Sequence, residues 1–201
     1  MRYGPEGKVT SAHIIRKSLK GKNIILNPLG ISDCTDEYVE WLNDPEVNHY
    51  LETRWEQQDR GTVEAYLREM ENSKKSVLFG IFRLRDGKHV GNIKIGPVNW
   101  HHLYANVSYF IGDRGAWGKG LATEAVSLVT RFGFECLELN KCKAGVYSGN
   151  SGSIRVLEKV GFQQEGCLKD ELLGPHGMED HLLYGLNSKS FLYNHEEKEQ
   201  V

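Results

Sequence analysis

Arg114-Gly115-Ala116-Trp117-Gly118-Lys119-Gly120-Leu121-Ala122-Thr123 joins an apolar stretch, Ala105–Ile111, to the strongest helical pattern in the chain, Gly118–Leu137. Glycines at this point permit a tight turn and let a ligand approach the backbone. The first N–H groups of the helix that follows have no partner within the helix. Together with the helix dipole they form an anion site. Lys119 adds a positive charge, and the expected ligand is a phosphate or pyrophosphate. Two familiar nucleotide motifs are excluded. A P-loop would need Lys after the second glycine, where Leu121 stands. A dinucleotide fingerprint would need a third glycine, where Thr123 stands.

Working outward, Leu121, Ala125, Leu128, Val129, Phe132 and Cys136 recur at helical spacing and predict one apolar stripe. Upstream, Asn23–Leu26 reads as a strand and Ser32–Leu42 as a helix capped by Ser32 or Asp33 and stopped at Asn43-Asp44-Pro45. Thr62–Asn72 reads as a second helix with Ala65, Tyr66 and Met70 on one side. Ser76–Arg83 and Val90–Val98 are strands joined across Asp86-Gly87, a strong hairpin signal. In the second of these, Ile93 and Ile95 face one way, Asn92 and Lys94 the other. Ala105–Ile111 is a further strand. Downstream come a strand at Cys142–Val146, a helix at Ser151–Val160, and a strand pair, Phe162–Leu173 and Asp180–Leu186. This order predicts a mixed sheet with helices on its faces.

The chain has 201 residues, with 25 Lys plus Arg against 27 Asp plus Glu and a formal net charge of −2. That length suits one domain with short extensions. The near-neutral balance argues against a dedicated nucleic-acid binder. No run approaches the roughly 18 apolar residues that span a bilayer, and the first residues carry no signal-peptide pattern. The expectation is therefore a cytoplasmic protein without membrane or nucleic-acid partners. Residues 1–22 form a basic N-terminal extension, 23–187 the folded domain, and 188–201 a polar tail. Cys34, Cys136, Cys142 and Cys167 lack a Cys-x-x-Cys spacing and read as reduced, mostly buried thiols. No metal site is expected.

A second feature is Asn150-Ser151-Gly152-Ser153-Ile154-Arg155-Val156-Leu157-Glu158-Lys159-Val160-Gly161-Phe162. By itself it is a short helix capped by Asn150 and ended at Gly161. With the glycine turn, the long helix and the intervening strand, it resembles the GNAT superfamily of acetyl-CoA-dependent N-acetyltransferases. Trp-Leu-Asn-Asp-Pro-Glu-Val-Asn (41–48) and the run from Trp117 to Ala125 resemble the ribosomal-protein N-terminal acetyltransferase branch (RimJ/RimL-like). The resemblance covers roughly residues 23–187. It implies an α/β (α+β) GNAT fold: a mixed, mostly antiparallel twisted sheet of six to seven strands and about four helices. A V-shaped gap would open between the central parallel strands. Trp117 stands where most of the superfamily has Gln or Arg, a departure that this branch shares.

The resemblance also implies a site. Acetyl-CoA would lie in the V, its pyrophosphate on the turn formed by Trp117, Gly118, Lys119, Gly120, Leu121, Ala122 and Thr123. Its pantetheine would run along Tyr109, Phe110 and Ile111, with Asn150 beside it. A backbone N–H on that strand would polarise the thioester carbonyl. The amine would attack directly in a ternary complex, so no cysteine is needed as a nucleophile. Asn150 and Ser153 match positions near the thioester, and Ser153 is the candidate donor to the departing thiolate. Many relatives have Tyr where Leu157 stands and Glu where Asn106 stands; neither residue is present here. Glu52 is the leading candidate base, with His101, His102, Asp180 and His181 as others.

Arg54, Trp55, His101 and His102 are candidate acceptor-binding residues. A protein or peptide N-terminal amine is the first acceptor reading. A nucleotide-linked amino sugar follows, with Arg54 meeting a phosphate, and then a polyamine or antibiotic amine. From other classes come a non-catalytic acyl-CoA binder and an RNA-associated protein using residues 1–22. The expected assembly is a monomer or homodimer.

Overall fold

The computed structural model of the protein describes residues 14–191. Residues 1–13 and 192–201, most of the basic extension and of the polar tail, lie outside it. The described chain forms strands β1 (Leu19–Lys20), β2 (Ile24–Pro28), β3 (Val77–Arg83), β4 (His89–Ile95), β5 (Tyr104–Ile111), β6 (Lys141–Tyr147), β7 (Gln163–Gly174) and β8 (Gly177–Asn187). Helices α1 (Asp36–Asn43) and α2 (Arg60–Asn72) lie between β2 and β3. Helices α3 (Leu121–Glu135) and α4 (Ser151–Val160) flank β6.

All eight strands join one sheet in the order β1-β2-β3-β4-β5-β6-β8-β7. Seven were expected at most. The eighth is Leu19–Lys20, which pairs with Leu26 and Ile25 although the sequence reading placed it in the extension. Arg16 reinforces this edge by donating to the carbonyls of Met70, Ser73 and Ser76 at 3.0, 2.5 and 3.4 Å. At the other end, residues 188–191 are helical and Phe191 is buried against Phe134.

Every pairing is antiparallel except that of β5 with β6. That parallel pair holds only at Tyr104↔Lys141, Ala105↔Cys142 and Asn106↔Lys143. Beyond it the strands part: β5 stays bonded to β4 from Val107 to Ile111, and β6 stays bonded to β8 as far as Tyr147. This divergence makes the V.

The helix ends follow local chemistry. Thr35, not Ser32 or Asp33, caps α1 by accepting from Tyr38 N at 3.1 Å; residues 31–33 form a separate 3-10 turn. Asp59 caps α2, accepting from Thr62 N at 2.7 Å. The buried line of α2 is Val63, Leu67 and Met70, spaced 4 and 3. Ala65, expected inside, is exposed because it lies half a turn off that line. Asn150 caps α4, and Gly161 ends it at φ 105°.

Two cores result, one on each face. Ile24, Phe79, Ile81, Ile93 and Ile95 pack beneath Ala125, Val129 and Phe132 of α3. Tyr38, Trp41, Leu42, Val63, Leu67 and Leu78 form a second cluster under α1 and α2. Because side chains alternate across a strand, Asn92 and Lys94 on β4 face the second side. Cys34 and Cys142 are buried, Cys136 and Cys167 half-buried, and all four are free thiols. No described helix is long and apolar enough to cross a membrane.

Candidate active site

The turn before α3 leaves an open donor surface. Gly118 and Gly120 adopt φ of +71° and +76°, the left-handed region that side chains resist, and nothing lies within 4 Å of either where a Cβ would point. Gly120 occupies the N-cap of α3 and has no side chain to cap it. The first N–H groups of the helix therefore face outward, as an anion site requires. Lys119 Nζ donates back to the Gly115 carbonyl. Trp117 Nε1 donates to the Ile111 carbonyl at 2.8 Å, which folds the turn onto the end of β5. This surface fits a pyrophosphate.

The V opens into a cavity of about 690 Å³. One wall is β5 from Val107 to Phe110; the other is β6 from Ala144 to Tyr147, with Asn150 and Ser153 of α4. Tyr109 crosses the gap. Its hydroxyl lies 2.8 Å from Ser153 Oγ and 3.2 Å from the Ser153 carbonyl, and its one proton can go to either. Burial pushes the Tyr109 phenol up to about 12, so it stays protonated at neutral pH. Leu157, where relatives have tyrosine, is buried in the core. Ile111, expected beside Tyr109 and Phe110, adjoins the cavity-lining residues and meets Trp117.

Above the V, a 3-10 turn at Glu52–Trp55 brings Glu52 to the cavity. Tyr147 donates to Glu52 Oε1, and Trp55 Nε1 donates to Oε2 at 3.2 Å. Burial and the Glu52 hydrogen bond both raise the Tyr147 pKa. Arg54 lies over the Trp55 ring at 4.2 Å and the Tyr147 ring at 5.1 Å. It donates to Tyr147 Oη at 3.2 Å and the Leu173 carbonyl at 2.5 Å, bracing the turn against the β7–β8 hairpin. Arg54 and the exposed Trp55 border an outer groove with Asn48 and His49.

His181 on β8 also lines the cavity, and its Nδ1 pairs with Glu171 Oε2 at 2.6 Å. Gly145 makes room for its ring: a Cβ there would sit 2.2 Å from His181 Nε2. Asp180 instead accepts from Lys169 at 2.6 Å and from Asp170 N at 3.2 Å, which lowers its pKa. His101 and His102 are exposed and donate their backbone N–H groups to Asn99 Oδ1. They precede Tyr104, at the paired end of β5 and β6, so the structure does not bring them to the cavity.

Tyr147, Asn92 and Lys94 are among the lining residues that the sequence reading did not name as site residues. Tyr147 lies one position past the expected end of β6. Asn92 and Lys94 were placed on a face of β4, but only the packing of α1 and α2 turns that face into a cavity floor. No group of three or more metal-ligating side chains gathers among the described residues.

A sheet splayed at its one parallel pair, with an uncapped glycine turn at its mouth, is the architecture of the GNAT acetyltransferase class. Residues 23–163 match the acetyltransferase (GNAT) domain family, and the chain belongs to it. It is 31% identical over 173 residues to the probable N-acetyltransferase YjcK of Bacillus subtilis (strain 168), across 81% of this chain and 93% of that protein. Among solved structures, spermidine N-acetyltransferase from Vibrio cholerae in complex with CoA and spermine matches with TM-score 0.76. That match has 19% identity and covers 86% of this chain and 99% of the other. Mycobacterium smegmatis RimJ in complex with CoA-disulfide matches with TM-score 0.72 and 22% identity, covering 83% of each chain. At these identities the two solved structures speak to the fold alone. The chain is an N-acetyltransferase.

Proposed function

We propose that the chain transfers the acetyl group of acetyl-CoA to a primary amine by direct attack in a ternary complex. The observation that carries this reading is the cavity between β5 and β6. It is bounded by Tyr109 with Ser153 on one side and Glu52 with Tyr147 on the other. Acetyl-CoA supplies the activated acetyl group. The turn of Gly118, Lys119, Gly120, Leu121, Ala122 and Thr123 holds its pyrophosphate, and Tyr109, Phe110 and Ile111 guide its pantetheine. Asn150 fixes the first turn of α4, through Ser153 N at 3.0 Å, and so places Ser153.

Glu52 takes the proton of the incoming ammonium, directly or through water, and leaves a neutral amine to attack. Tyr147 and Trp55 orient its carboxylate. As the carbon–sulfur bond breaks, the Ser153 hydroxyl, accepting from Tyr109, donates to the thiolate, which takes up the proton that the new amide nitrogen releases. Tyr109 thus brings a phenol to the helix that lacks the usual tyrosine. A second base is His181, favoured by its 2.6 Å contact with Glu171, which would hold Nε2 toward β6.

The acceptor we put first is a protein or peptide N-terminal amine. The outer groove of Asn48, His49, Arg54 and Trp55 offers a surface for the residues behind such a terminus. A small-molecule amine is the second reading, supported by the cavity's enclosed floor under α1 and α2. A polyamine is the third reading. Against it, Glu52 is the one carboxylate among the described cavity-lining residues, and it already accepts two hydrogen bonds.

The test is CoA-thiol release with three separate acceptor pools: N-terminal peptides, amino sugars with their nucleotide derivatives, and polyamines. Turnover with one pool names the acceptor class. Tight acetyl-CoA binding without turnover in any pool would move the reading to a non-catalytic acyl-CoA binder.

A further inference from the structure

The cavity floor is an unusual place for a cation. Lys94 lies half-buried on β4, its ammonium 5.9 Å from the centre of the Tyr66 ring. No described carboxylate stands within ion-pair distance. Burial holds its pKa below the usual lysine range, and Glu69 on α2 only partly opposes this. A cation held partly out of water with no carboxylate partner costs free energy unless something else compensates it.

Two residues away, Asn92 points to the same side and is 2% exposed. Its orientation follows from His89. His89 Nε2 lies 3.0 Å from the Gly91 carbonyl, which can only accept, so Nε2 carries the proton. The same nitrogen lies 2.8 Å from the Asn92 side chain, which must then present Oδ1. Nδ2 completes no hydrogen bond and is itself out of reach of water, although it is near enough to the Tyr38 hydroxyl to ease that group's ionisation slightly against burial; the residue lines the cavity. Buried donors are nearly always satisfied, so an orphan on a cavity wall marks a place for an acceptor atom. Tyr38 and Tyr66, both held protonated by burial, flank the pair. The floor therefore presents donors and a positive charge beneath apolar walls.

We propose that the acceptor carries an oxyanion as well as its reactive amine, and that Lys94 and Asn92 bind this oxyanion at the cavity floor. The proposal rests on the acetyltransferase reading and narrows its substrate class. A carboxylate or a phosphate would each satisfy the floor with charge-assisted hydrogen bonds. Such a group would also exclude polyamines, whose second ammonium would meet Lys94.

The experiment compares matched amines in CoA release: 4-aminobutanoate against 4-aminobutanamide, and glucosamine 6-phosphate against glucosamine. The first pair reads a carboxylate, the second a phosphate. At least one anionic member is expected to exceed its neutral partner in kcat/KM by roughly 10- to 100-fold. Lys94→Met is expected to remove that preference, while acetyl-CoA affinity and turnover of neutral amines stay within about twofold. Equal turnover within both pairs would overturn the proposal, as would a preference that survives in Lys94→Met.

If no amine in the panel reacts, binding of N-acetyl-4-aminobutanoate and N-acetylglucosamine 6-phosphate is measured in the presence of CoA. Weaker binding to Lys94→Met supports the proposal. Equal or absent binding to wild type overturns it, and the acetyltransferase reading is then decided separately by turnover with the three acceptor pools. Loss of acetyl-CoA binding in the wild type would overturn both.

Discussion

The Tyr109 hydroxyl lies 2.8 Å from Ser153 Oγ, across the gap where β5 and β6 part. It joins the strand proposed to guide pantetheine to the helix proposed to receive the thiolate. If Ser153 donates to that thiolate, Ser153→Ala and Tyr109→Phe should each lower kcat about tenfold and leave the KM for acetyl-CoA nearly unchanged. The effect is modest because a thiolate leaves with little help. Steady-state kinetics on both variants, with the double variant as a coupling check, reads this. A full-speed Ser153→Ala would remove Ser153 from the mechanism.

Glu52 and His181 are separable as bases. Glu52→Gln should cut kcat/KM about 100-fold in steady-state kinetics, while His181→Gln should stay within about threefold of the wild type. The opposite pattern would make His181, oriented by Glu171, the base. Both variants keep a hydrogen-bonding amide where each side chain now has partners, which limits disturbance of Tyr147 and Glu171.

At the glycine turn, Gly120→Ala forces a side chain into φ +76°. The backbone cost is about 1–2 kcal/mol. The expected outcome is a lower melting temperature together with a raised KM for acetyl-CoA, since the N–H groups of α3 would be re-aimed. An unchanged KM would count against this turn as the pyrophosphate site.

His89 predicts a pH dependence of stability. It is enclosed by Phe82, Trp41 and Tyr38, and burial lowers its pKa below the ordinary 6.5 despite its hydrogen bonds and the nearby Asp33 and Glu37. Below pH 6.5 the unfolded chain binds a proton that the folded chain resists. Stability is therefore full above pH 6.5 and falls as pH drops, until the folded His89 itself protonates. Thermal melts between pH 8 and 5 should show this slope, and His89→Gln should flatten it.

Much of this protein is written locally. The hairpin at Asp86-Gly87, the stripe of α3 and the caps at Asn150 and Gly161 depend on neighbours within a few residues, and all three are found as read. The glycine turn before α3 is equally local, since only backbone conformation and the absence of side chains define it. Leu19–Lys20 escaped because a two-residue strand has no periodicity; its place depends on the exposed edge of β2. The buried line of α2 was misassigned at Ala65 because several helical registers fit an alternation of small and polar residues.

The site was decided by tertiary structure. Ser153 meets Tyr109, and Glu52 meets Tyr147, across 44 and 95 residues of chain. Nothing in either segment specifies the other; the divergence of β5 from β6 brings them together. His101 and His102 have the right chemistry, yet they fall at the paired end of the strands, away from the cavity. Asn92 and Lys94 read as the polar face of an ordinary half-exposed strand. Asn92 becomes an orphan donor, and Lys94 a half-buried cation without a carboxylate partner, because α1 and α2 close over that face.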